Sequence, residues 1–162
     1  MLTAMQAQVI LHFWFTKLTP QQHFAKDAAL DETIRTRFGA TLEAAAQCEL
    51  FAWRATPEGR LAEILVLDQF SRNVWRDTPR AFAQDALTLA LAQELVASGL
   101  DRSLPTAQRI FAYMPYMHSE SALVHAQAIA LFAQPGMETN LDFELRHKAI
   151  IDRFGRYPHR NA

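Results

Sequence analysis

No stretch of this chain alternates polar and apolar residues with the period of two that a half-buried strand requires, and this constrains the fold most. Helix punctuation recurs instead. Thr56-Pro57-Glu58 and Thr78-Pro79 each set a hydroxyl ahead of a proline. The hydroxyl accepts from free backbone N–H groups, and the proline takes the first helical position. Gly99, Pro135-Gly136 and Gly155 stand where helices must stop. These signals predict helices over about 5–17, 31–48, 57–70, 79–98, 105–114, 119–133 and 140–154. Asp31, Ser119 and Asn140 are the expected caps, and Ser103-Leu104-Pro105 the expected start before Met114. Pro115 is expected to stop that helix, because proline lacks a backbone donor and disfavours helix in the residue before it. About seven helices joined by short turns predict an all-α bundle or a solenoid of antiparallel hairpins, as one domain over 1–162.

At 162 residues, half of them apolar, the chain can bury a substantial core. Its net charge of −1 argues against nucleic acid, which demands a cationic excess. The charge is unevenly placed. Residues 27–63 hold seven acids against four arginines, whereas 146–162 hold five bases against Asp152 alone. The single cysteine, Cys48, rules out an internal disulfide and suits a reducing compartment; alanine neighbours suggest a buried thiol. No basic leader precedes the apolar run Val9–Phe15, which is too short to span a bilayer. A cytoplasmic protein without a membrane partner is expected.

Polar residues gather in a few runs. One is Leu67-Asp-Gln-Phe-Ser-Arg-Asn-Val-Trp-Arg-Asp-Thr-Pro-Arg-Ala-Phe82. Another is Tyr113-Met-Pro-Tyr-Met-His-Ser-Glu120, and a third Arg153-Phe-Gly-Arg-Tyr-Pro-His-Arg-Asn161. With Phe13-Trp-Phe15, they resemble a bacterial family of unknown function, domain-of-unknown-function family 924. The resemblance covers essentially the whole chain. It implies an all-α fold of the tetratricopeptide-like (TPR-like) superfamily and implies no activity or cofactor. Ser71 stands where that family usually has proline, so a less rigid loop is expected there. The chain also ends at Ala162, where such relatives usually continue.

Asp68, Arg72 and Arg76 follow one another at i, i+4, i+8, and with Asn73 they suit two roles. They are an anion site gripped by guanidinium forks, or a salt-bridge network internal to the fold. His118 is a candidate acid or base with Glu120 orienting it; Glu120 is equally suited to a structural acid beside Arg109. Glu144 and His147 have the spacing of a di-iron motif, but one copy is too few, and no metal site is expected. The tail with Arg156, His159, Arg160 and Asn161 is expected to fold back, anchored by Phe154 and Tyr157, against Arg72-Asn73 and the His118 corner.

Two functions follow as expectations. The first is an anionic small molecule bound by Asp68, Arg72, Asn73, Arg76, Arg109, Tyr113, His118, Glu120, Arg156, His159, Arg160 and Asn161. In any catalysis His118, Glu120 or His159 acts as acid or base. The second is a scaffold whose helical groove takes a protein or peptide, without catalysis. If the motifs only fix the fold, each arginine is expected on a protein acceptor.

Overall fold

Helix α1 (Ala4–His12) runs directly into a π-helical turn, Phe13–Lys17, before Leu18 turns extended and ends it. The structure, a computed structural model, describes residues 4–160, and among them there is no strand. The described chain forms two compact units, one up to Gln84 and one from Asp85. No described helix is long and apolar enough to cross a membrane.

In the first unit, α2 (Pro20–Phe24) begins at a capping box in which Thr19 and Gln22 bond each other's backbone N–H. Helix α3 (Ala28–Ala46) is capped by Asp27, not by Asp31. Asp31 sits one turn in, buried, where its carboxylate has other partners. Helix α4 (Pro57–Leu65) passes through a π-helical turn (Val66–Phe70) into α5 (Ser71–Val74). Every residue from Leu61 to Ser71 is buried, which makes this run the unit's axis, with α1 against α4 and α3 against α5. Ser71 therefore lies inside a buried helical run rather than in a loop. Phe13, Phe38 and Phe70 pack in a ring cluster with centroids 5.0–6.2 Å apart, and Trp14 joins it through Phe70.

Gly59 is fixed by contact. A Cβ at that position would stand 1.9 Å from the Trp53 carbonyl oxygen, in the middle of the 3-10 turn Phe51–Ala55. Only glycine lets the start of α4, capped by Thr56, approach so closely.

Cys48 is exposed, in contrast to the buried thiol expected of it. Helix α3 stops at Ala46, and Cys48 adopts the left-handed conformation (φ 61°) that glycine usually supplies at this position. Its N–H bonds the Ala45 carbonyl while that of Glu49 bonds Ala44, the paired closure of a Schellman motif.

The second unit contains α6 (Asp85–Ala97), α7 (Thr106–Met117), α8 (Ala122–Phe132) and α9 (Glu138–Phe154). Helix α7 packs against α6, α8 and α9. Thr78-Pro79 starts only a 3-10 turn, Pro79–Phe82, with no cap from Thr78. Ser103 does not cap α7, since its hydroxyl donates to the Leu100 carbonyl; Met137, not Asn140, precedes α9.

Pro115 does not stop α7, which continues to Met117. The proline lacks the N–H that would bond the Phe111 carbonyl, yet helical geometry persists for two more residues, and Pro115 is buried along with Tyr113, Met114 and Tyr116. The turn closes one residue later, where the His118 N–H bonds the Met114 carbonyl. Ser121, not Ser119, caps α8 by accepting from Val124, while Ser119 Oγ accepts from the Ser121 N–H. The corner is therefore His118 to Ser121.

Candidate functional site

The predicted site residues fall into three clusters, one in the first unit and two in the second. In the first unit, Arg72 NH1 donates to the Asp68 carbonyl at 2.9 Å and reaches Asp68 Oδ1 at 3.4 Å. The other Asp68 oxygen accepts from Gln69, and the Arg72 guanidinium lies 5.2 Å from the Phe82 ring centre. Arg76 does not continue along this face, because α5 ends at Val74 and Trp75 leaves helical geometry. It reaches Asp31 instead, with Nε to Oδ2 at 2.7 Å and NH2 to Oδ1 at 3.0 Å, and Asn73 adds a third bond at 2.9 Å.

Burial pushes the Asp31 carboxyl up, but the bonds from Arg76 and Asn73 outweigh it and hold it below the ordinary carboxylate value. The pairing with Asp31 likewise pushes Arg76 further up.

At the start of α7, Arg109 NH1 donates to Gln134 Oε1 at 2.6 Å and NH2 to the Leu104 carbonyl at 2.9 Å. Tyr113 OH donates to Asp101 Oδ2 at 2.6 Å and accepts from Gln134 at 3.0 Å. Burial, then Asp101, pushes the Tyr113 phenol up to about 12. These residues lock the loop before α7 to the loop after α8.

The third cluster lies at the other end of α7. Nine helical residues separate Arg109 from His118, roughly 13 Å along the axis. The tail meets the corner here. Tyr157 donates its N–H to Glu120 and its hydroxyl to the Met117 carbonyl. Arg160 donates to the His118 carbonyl at 3.0 Å, comes within 3.4 Å of Asp85, and covers the Tyr157 ring at 4.6 Å. His147 and His159 flank the same ring, with centroids 5.7 and 5.9 Å away. Arg156 and His159 are exposed and His118 is half-buried. Asn161 lies outside the described residues.

Behind the corner sit two residues that sequence reasoning did not select as a pair. His125 and Glu144 are both fully buried, joined Nδ1 to Oε2 at 2.7 Å. His125 Nε2 faces the Ser119 carbonyl at 2.6 Å and Tyr157 Oη at 3.1 Å. The Ser119 carbonyl can only accept and the Tyr157 hydroxyl donates to Met117, so an N–H at Nε2 faces both oxygens. The signal was local: His125 is the only ionisable residue of α8. Asp31, Asp101 and Gln134 were also passed over, and their partners lie too far along the chain for any spacing rule. Among the described residues no group of three or more His, Cys, Asp or Glu is placed to hold a metal ion.

The chain is similar to a solved structure, a protein of unknown function, ATU0120, from Agrobacterium tumefaciens. The two are 38% identical with a TM-score of 0.92, over 98% of this chain and 89% of that one. No curated protein matches. A model of bacterial proteins of unknown function matches residues 10–162, a range that includes residues of both units. The chain belongs to that family, DUF924.

Proposed function

We propose that the protein is a non-catalytic helical scaffold of TPR-like hairpins that docks a helix of a partner protein, and that its polar motifs act as joints. One observation carries this: Arg72, Arg76, Arg109 and Arg160 each donate to an acceptor of the protein itself. Burying such donors against internal acceptors fixes helix positions. The docking face is on α9. Phe143, Ile150 and Phe154, at i, i+7 and i+11, share one stripe and are 45%, 37% and 52% exposed. The guanidiniums of Arg146 and Arg153 lie 5.6 and 4.9 Å from the Phe143 and Phe154 ring centres. A stripe of this length suits an amphipathic helix. The one family model across both units supports reading 1–162 as a single domain, and the lone cysteine supports a cytoplasmic setting.

A photo-crosslinking residue at Ile150 in the intact cell tests this. A discrete adduct of protein size, lost when Phe143 and Phe154 become Asp, is expected; no adduct would contradict it.

The second reading, an anionic small molecule at the corner, is supported by the exposure of Arg156 and His159 beside the basic tail. No reaction is assigned to His118, Glu120 or His159.

A further inference from the structure

Three basic side chains of the first unit differ from those above. His12, Lys17 and Arg37 form no hydrogen bond or ion pair with any described residue, yet they line one cleft. Its other walls are Met5, Gln8, Val9 and Phe13, and its volume is about 300 Å³. No acid is among these lining residues.

The convergence is built into the sequence. Met5, Val9, Phe13 and Lys17 recur every fourth residue, so α1 and its π-helical turn present one ridge: two exposed aliphatic side chains, a ring, then an ammonium. Gln8 and His12 form the neighbouring ridge. From α3, Arg37 lays its guanidinium 5.1 Å from the Phe13 ring centre and 4.8 Å from that of Phe38. Stacking on rings positions the guanidinium without consuming its N–H donors.

Like charges gathered without a counter-charge repel, and an anion between them removes that cost. A net charge of −1 for the whole chain means this concentration is local. Arginine supplies a fork matched to carboxylate or phosphate, and lysine a point charge. Exposed Met5 and Val9 offer apolar surface beside the charges, and the volume sits at the small end of ligand sites.

We propose that this cleft binds a small organic anion: a carboxylate or phosphate monoester held by Arg37 and Lys17, its apolar body lying on Met5, Val9 and Phe13. The site is separate from the polar motifs and independent of the scaffold reading.

Calorimetry on the full chain with phenyl phosphate, octanoate and inorganic phosphate tests it, with sedimentation against anionic and neutral vesicles. Saturable one-site binding of either organic anion is expected, with inorganic phosphate weaker by about tenfold or more for want of apolar contact. Arg37→Gln and Lys17→Gln should each raise Kd by about tenfold, the scale of a lost charged hydrogen bond. Both side chains are exposed and lack an acidic partner, so unchanged circular dichroism is expected; if one variant misfolds, the other decides. Absence of saturable binding, binding unchanged in both variants, or binding to anionic vesicles alone would overturn the proposal.

Discussion

Arg76 holds Asp31 at two points, Nε to Oδ2 at 2.7 Å and NH2 to Oδ1 at 3.0 Å, across 45 residues of sequence. The pair joins the start of α3 to the residues just past α5, and Asn73 completes it. Asp31 is 8% exposed, so either partner left alone would be a poorly solvated charge.

Asp31→Asn should therefore cost about 2–3 kcal/mol of stability at neutral pH. The pH dependence has a definite sign. The carboxyl titrates below its ordinary value in the folded chain, so it releases its proton more readily there than in the unfolded chain. Its contribution is complete above the ordinary value and is lost as pH falls through the lower, folded value. Denaturant titrations should show the gap between wild type and variant constant above about pH 5 and shrinking below about pH 4.

Cys48 occupies the left-handed position of a helix end with φ 61°, where a Cβ is disfavoured. Cys48→Gly should raise stability by about 1 kcal/mol, whereas Gly99→Ala, at φ 75°, should lower it by a similar amount. Urea midpoints at a common slope measure both. A destabilised Cys48→Gly would show that the thiol, which lies near Arg54, contributes more than the strain costs.

Tyr113 should ionise well above an ordinary phenol. Burial and Asp101 push it up to about 12, so its phenolate should be missing from the alkaline absorbance titration until that range. The sign is opposite to that of Asp31: the raised value contributes stability that is fully present below about 10 and lost as pH climbs through the folded value. Tyr113→Phe should remove a step near 12. It should also cost about 1–3 kcal/mol, because Asp101 then loses a buried donor. A spectrum in which all phenols ionise together near 10 would contradict this.

The all-α class was legible because it rests on local signals, namely the missing period of two, Thr56-Pro57, and glycines such as Gly99 and Gly155 past helix ends. Failures came where tertiary packing outweighed local preference. Pro115 stays inside α7, buried with its neighbours, and Asp31 yields the cap to Asp27 because Arg76 and Asn73 occupy its carboxylate. The site was only partly legible for the same reason. Asp68 and Arg72 are near neighbours and their contact could be read, whereas Arg76 reaches a partner that no periodicity announces. The cleft of His12, Lys17 and Arg37 was missed because Arg37 reaches Phe13 from another helix.

The central claim, that the arginines of the polar motifs hold the fold together, is tested most directly by melting Arg76→Ala and Arg160→Ala with and without a panel of phosphorylated and carboxylated metabolites. Loss of each pairing should cost about 2–3 kcal/mol, a fall in Tm of roughly 5–10 °C for a chain of this length. Any shift that a metabolite gives the wild type should survive in both variants. A variant that melts like wild type but loses such a shift would contradict the claim and place a ligand on these arginines.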